Sequence, residues 1–176
     1  ALLHLLNQLG YACHVVHLNH LLRGDQSEKD QRFVETLAHK LDLPITAQQT
    51  DVSALASANS ISIEMAGRQA RHAFFSSLPP APIALGHHAD DQVETFLLRL
   101  LRGAGRSGLS GMHPVQKING FTLVRPLLNL EKEQLVQWLK QNKLTWREDA
   151  SNTNPAFQRN QIRHHLLPLL KNELNP

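Results

Sequence analysis

Residues 86–112 read GHHADDQVETFLLRLLRGAGRSGLSGM. The first turns of this stretch gather His87, His88, Asp90, Asp91 and Glu94, side chains that move protons or hold cations. Two chemistries are open to such a set. One is a divalent-metal site, because imidazole and carboxylate are good ligands for these ions. The other is recognition of a cationic substrate by Asp91 and Glu94, with a histidine polarising a reacting carbonyl. Asp90 and Asp91 also suit the first turn of a helix, where the dipole favours negative charge. Beyond Glu94 the character changes. From Thr95 to Leu130 there is no acid, while Arg99, Arg102, Arg106, Lys117 and Arg125 all fall there. That run is the footprint of a phosphate-rich partner, with a solvated basic face as the plainer account.

These residues need elements to hold them. ALLHLLNQLG reads as the end of an amphipathic helix closed by Gly10, a residue that accepts the left-handed C-terminal position. ACHVVHL and LPITAQQT are strand-like, and between them Phe33, Val34, Leu37, Ala38 and Leu41 recur at helical spacing from Asp25 to Leu41. A second helix is expected from about Ser60 to Ser77, stopped by Pro79 and Pro80. PIALG follows as a strand and Asp90 to Arg102 as a helix. On that helix Val93, Phe96, Leu97, Leu100 and Leu101 make one apolar stripe, with Asp91 and Glu94 neighbouring each other off it. Strand and helix alternating three times predicts an α/β domain, a doubly wound parallel sheet of Rossmann-like type with helices on both faces. In such a sheet ligands bind where strands end, and HHADD is the loop leaving the third strand.

The pattern then shifts. KINGFTLVRP places Asn119-Gly120 between strand-like runs, a favoured hairpin turn. EKEQLVQWLKQN is an amphipathic helix with Leu135, Trp138 and Leu139 on its apolar side. An Asn/Asp/Ser-rich loop, REDASNTNPAFQRN, leads to IRHHLLPLLKNELNP, a helix leaving the domain. The expected division is a catalytic domain over 1–150 and a substrate-contacting loop and helix over 151–176. At 176 residues, 41% hydrophobic and 19% charged, the chain is sized for one folded domain rather than disorder. Its single cysteine, Cys13, excludes a disulfide framework and points to a reducing cytoplasm. No apolar run approaches the ~20 residues that span a bilayer.

GHHADDQVET followed by FLLRLLRGAGRSGLSGM closely resembles the signature of the tRNA(Ile)-lysidine synthetases, members of the PP-loop ATP pyrophosphatase superfamily. VHLNHLLRGDQSEKD at 16–30 resembles the family's second-strand motif, and IEMAGRQARHAFF at 63–75 its Glu-x-Ala-x-Arg-x-x-Arg segment. VRPLLNLEKEQLVQWL and WREDASNTNPAFQRNQIRHHLLPLL resemble the tail of its catalytic domain. The lone cysteine sets the chain apart from thiolating relatives that use paired Cys-x-x-Cys. The resemblance implies a ligase that uses ATP and Mg²⁺ to adenylate the wobble cytidine of a CAU-anticodon isoleucine tRNA. Free L-lysine then displaces AMP to give lysidine. It also implies roles residue by residue. His87 would lie beside the cytidine, with Arg68 and Arg71 meeting phosphate or the transition state. Asp91 and Glu94 would hold the lysine amino group and Arg159 its carboxylate. His17, His20 and Arg23 would line the nucleotide or tRNA side, with His17 and Gly86 as the candidates for ATP. Arg99, Arg102 and Arg106 would face the tRNA.

The chain departs from the family in one place. The family's Ser-Gly-Gly-x-Asp-Ser loop, which grips pyrophosphate between the first strand and first helix, is not in this sequence, which opens on ALLHLL. The expectation is an N-terminally incomplete domain: residues 1–176 alone should not exchange pyrophosphate, and the sheet edge left without its first strand should invite pairing of two copies. Two other functions compete. A metal-dependent phosphohydrolase would use His87, His88, Asp90 and Asp91 as ligands, and a non-catalytic tRNA-binding module would keep only the basic surface.

Overall fold

A computed structural model describes residues 1–118, 120–147 and 158–174. The backbone divides into two compact units, residues 3–83 with 117–122, and residues 1–2, 84–116 and 123 onward. The α/β class is the one expected, and the order of elements follows the alternation read from the sequence.

In the first unit, α1 (Leu2–Gln8) ends at Gly10, whose φ of 79° is the left-handed value a glycine adopts freely. β1 (Val15–Asn19) and β2 (Ile45–Gln49) pair in parallel, from Val15 opposite Ile45 to Asn19 opposite Gln49. α2 (Asp25–Lys40) joins them, with acids in its first turn and His39 and Lys40 in its last, each complementing the dipole. α3 (Val52–Asn59) stands where no element is expected from the sequence. Its start is made by Asp51, whose carboxylate accepts the Ala54 N–H at 2.9 Å. α4 (Ile63–Ser77) starts at Ser62, which accepts from Met65 N–H. It stops because Leu78, ahead of Pro79, is forced into the extended conformation at ψ 156°. α3 and α4 meet through Val52, Ala56, Ala66 and Ala70, with Leu18, Leu55 and Ile61 around them.

β3 (Pro82–Ala84) leads to α5 (Ala89–Leu101), and β4 (Val115–Ile118) and β5 (Phe121–Val124) form the hairpin, with Gly120 at φ 89°. Asn119 of the predicted turn lies outside the described residues. The described strands make two sheets rather than one. β1 pairs β2, and the other sheet runs β3-β5-β4, with Leu85 N–H donating to the Val124 carbonyl just past the strands. α6 (Lys132–Gln141) buries Leu135 and Leu139, as its spacing requires. Of the Asn/Asp/Ser-rich stretch at 147–160, residues 148–157, and with them the boundary expected at 150, lie outside those described, while residues 158–160, expected in the loop, are helical. A C-terminal helix then begins at α7 (Gln158–Gln161). It widens to π-type spacing over Ile162–Leu166, tightens at α8 (Leu167–Leu169) and widens again over Leu170–Leu174. Pro168 has no N–H to give to the preceding turn, and wide turns of this kind absorb such a defect.

Candidate functional site

The loop leaving β3 turns directly into α5, so Asp90, Asp91 and Glu94 sit in the first turns of that helix. Asp91 Oδ2 accepts the backbone N–H of His88 at 3.0 Å, which fixes the carboxylate and closes the helix start. Asp90 Oδ2 accepts Lys132 N–H at 2.8 Å and lies 3.2 Å from His88 Nδ1, binding the start of α5 to the start of α6. His87 and His88 are both half-buried, and Gly86 is exposed at the exit of β3.

Glu94 is the unusual member. It is 0% exposed, one of the largest fully buried side chains among the described residues. An ionised carboxylate taken out of water costs several kcal/mol unless it is paired with good geometry. Two guanidinium groups from the C-terminal helix supply the pairing. Arg163 binds side-on, Nε to Oε1 at 2.6 Å and Nη2 to Oε2 at 3.0 Å. Arg159 gives one bond, Nε to Oε2 at 2.8 Å, while its Nη2 reaches Thr95 Oγ1 at 3.1 Å and the Asp91 carbonyl at 3.3 Å. Asp91 Oδ1 faces both guanidinium groups at ion-pair distance, 3.9 Å from Arg159 and 3.7 Å from Arg163. Burial works against the Arg163 charge, but the hydrogen bond to Glu94 and the charges of Glu94, Asp91 and Asp90 outweigh it and hold the group above its ordinary value. Two carboxylates and two guanidinium groups thus converge, neutral in sum. Such a set can receive a ligand carrying both an ammonium and a carboxylate.

Three of the residues singled out in the sequence, Asp91, Glu94 and Arg159, are therefore brought together. Arg163 is the fourth, and it was missed. Its signal was available: four residues from Arg159, it shares a helix face with it.

The basic stretch resolves into different roles. Arg99 Nη1 donates to the carbonyls of Gly108 and Gly111 at 2.8 and 2.9 Å. Gln92 exchanges two bonds with the Met112 backbone, at 2.8 and 2.6 Å. α5 thus staples the following loop to itself. Gly111 has φ 72°, and a Cβ there would meet the Gln92 amide at 2.8 Å. A larger residue would be strained in its backbone and would push Gln92 off the loop. Arg102 is exposed and gives Nη2 to Gln158 Oε1 at 3.0 Å; Arg106 is exposed in the loop. Arg125 is buried, donating to the His113 carbonyl at 2.7 Å and Gln116 Oε1 at 3.0 Å, so it belongs to the hairpin and not to the basic surface.

The other unit holds the remaining candidates. Arg68 and Arg71 are exposed on α4. Desolvation, and then Arg68, lower the Arg71 pKa from its ordinary value. His17, on β1, is half-buried and titrates below the ordinary histidine value through desolvation, with Asp30 and Glu35 opposing. His20 is lowered by desolvation, then by Arg71 and His17. Its ring would lie 3.4 Å from a Cβ at Gly67, so α4 carries a glycine where the histidine packs. Arg23 is paired with Asp30 at 2.6 Å.

The described residues gather no protein-built metal site. Among the described residues no three His, Cys, Asp or Glu side chains converge as ligands. Asp90 is committed to a helix start, and Asp91 and Glu94 face cations. No described helix is long and apolar enough to cross a membrane.

A charge-lined loop at the exit of a strand is where ligands bind in an open α/β sheet. The family model described as a PP-loop domain matches residues 1–170, and the chain belongs to that family. Among curated proteins it is 49% identical over 175 residues to the tRNA(Ile)-lysidine synthase of Geobacter sulfurreducens, covering 97% of this chain and 36% of that protein. It is 44% identical over 180 residues to the enzyme of the same name from Porphyromonas gingivalis strain W83, covering 100% of this chain and 39% of that protein. The Bacillus licheniformis counterpart is 39% identical over 161 residues, covering 89% of this chain and 34% of that protein. The chain thus spans little more than a third of the length of these relatives.

Proposed function

We propose that this chain is the catalytic domain of a tRNA(Ile)-lysidine synthase. In that reaction the C2 oxygen of the wobble cytidine of a CAU-anticodon isoleucine tRNA attacks the α-phosphorus of ATP, and pyrophosphate leaves. An amine of free lysine then attacks C2, AMP departs, and a proton is lost from the amine. The observation that carries the reading is the convergence of Asp91, Glu94 and Arg159 from two distant segments, in a chain similar along nearly all its length to proteins of that name. Asp91 and Glu94 offer oxygen to an ammonium, and Arg159 offers N–H groups to a carboxylate. His87 follows Gly86 within the loop between β3 and α5, and in this reading it polarises the cytidine. Arg68 and Arg71, exposed three residues apart on α4, suit phosphate oxygens. Arg102 and Arg106 are exposed cations that suit the tRNA backbone, with Arg99 holding the following loop. His17, His20, Arg23 and Gly86 complete the nucleotide and tRNA side in this reading. ATP, lysine, tRNA and a reduced Cys13 coincide in the cytoplasm, which is where the reaction belongs. ATP is the nucleotide in this reading, with Mg²⁺ as the ion that would accompany its phosphates and offset their charge.

The test is direct. The full-length protein is given ATP, lysine and a CAU anticodon stem-loop, and the RNA is weighed. A gain of one lysine less water is expected only when ATP and lysine are both present. RNA of unchanged mass overturns the ligase, and phosphate release without lysine would restore the phosphohydrolase.

A further inference from the structure

The closed charge cluster poses a problem for any ligand. Glu94 is already satisfied by two guanidinium groups, so an arriving ammonium can reach it only if one of them yields. The two arginines are not equivalent. Arg163 holds both oxygens of Glu94 and its side chain is 23% exposed; Arg159 holds one oxygen and is 40% exposed. The remaining hydrogen bonds of Arg159, 3.1 Å to Thr95 Oγ1 and 3.3 Å to the Asp91 carbonyl, go to uncharged acceptors. Both guanidinium groups stand within 4 Å of Asp91 Oδ1, so a charge entering there meets the pair together.

We propose that Arg163 is a positioning residue that stays on Glu94 throughout, while Arg159 is exchanged from Glu94 to the carboxylate of an incoming amino acid whose ammonium takes the vacated place between Asp91 and Glu94. This rests on the lysine-binding reading above and assigns a role to a residue outside it. The exchange conserves charge. One guanidinium leaves Glu94, one ammonium replaces it, and the released guanidinium finds the ligand's own carboxylate. A buried carboxylate stripped of all partners during that exchange would be strongly disfavoured. The two-point hold of Arg163 prevents this, and it keeps the Glu94 oxygens aimed at the site. A ligand with an ammonium but no carboxylate can enter, but it gives Arg159 nothing in return. The site therefore selects amino acids over simple diamines.

The experiment uses the full-length protein, with lysine as substrate and cadaverine, the diamine lacking the carboxylate, as competitor. R163M is expected to raise the KM for lysine by roughly ten- to a hundredfold, the effect of removing a charge-assisted hydrogen bond. That rise should exceed the fall in kcat and be matched by an equal loss of cadaverine affinity, because Arg163 touches neither ligand. R163K should lie between wild type and R163M. R159M should weaken lysine far more than cadaverine. Loss of lysine affinity in R163M with cadaverine unaffected would make Arg163 the carboxylate's own partner and overturn the proposal, as would an unchanged KM. Where R163M does not fold, R163K is read alone: a matched rise for both ligands supports the proposal, and values equal to wild type overturn it. D91N separates the two readings. If it leaves the lysine KM unchanged, the lysine site itself is misplaced, whatever Arg163 does.

Discussion

Helices α4 and α5 have similar lengths and similar amphipathic patterns, yet they bury opposite kinds of side chain. α4 turns Ala66, Gly67, Ala70 and Phe74 inward and leaves Arg68 and Arg71 outside. α5 does the reverse. Its buried residue is Glu94, while Val93, Phe96 and Leu100 are exposed and Leu101 is 68% exposed. The apolar stripe that the sequence shows on α5 is thus not the face that packs in the described structure. α4 is located by close approach of small residues, a matter of shape. α5 is located by a four-charge cluster and by staples from Arg99 and Gln92, a matter of polar pairing. Packing tolerates exchange of one apolar residue for another of like volume; paired buried charges do not tolerate loss of a partner.

The contrast is tested most severely at Glu94. Glu94→Ala leaves two guanidinium groups facing each other without their carboxylate, and should cost about 3–5 kcal/mol in urea unfolding. Adding R159M and R163M to that variant should recover part of the loss, since neutral groups of similar volume replace the cluster. A cost below about 1 kcal/mol for Glu94→Ala would show that the cluster does not hold α5. On α4 the corresponding insult is Ala66→Leu, which forces extra methylenes into a site with no exposure and should cost about 1–3 kcal/mol in the same assay.

The arginines of the basic stretch divide along the same line between surface and scaffold. R102A together with R106A should weaken tRNA binding and lower its salt dependence by about one unit of log–log slope for each phosphate no longer neutralised. R99A should instead raise the susceptibility of residues 103–112 to limited proteolysis, because it removes the bonds that hold that loop. An unchanged salt slope in the double variant would reduce Arg102 and Arg106 to a solvated surface.

The smallest effect is expected from pH. His4, His17, His20 and His72 all titrate below the ordinary histidine value, with desolvation as the first cause. The folded state therefore resists protonating them. Their contribution to stability should be full above the ordinary pKa of about 6.5 and fall as pH drops from there through the lowered folded values. H20Q should make that fall shallower; an identical pH profile would remove His20 from the account.

Local features of this protein were legible in the sequence because they depend on neighbours along the chain. Gly10 and Gly120 sit at positive φ, Pro79 ends α4, and the alternation of strands and helices is what the apolar spacing requires. The gathering of His87, His88, Asp90, Asp91 and Glu94 at the exit of β3 was equally visible. α3 was not, because its short run of mostly small apolar residues marks no distinct face and its start depends on one cap at Asp51. The partners that those groups take were set only in three dimensions. Arg159 and Arg163 reach Glu94 across more than 60 residues of chain, Arg125 turns inward to its hairpin, and Arg99 serves its own loop. Periodicity reports which residues share a face of a helix. It does not report which face finds a complementary partner, and for α5 the pairing of charge, not the apolar stripe, settled that choice.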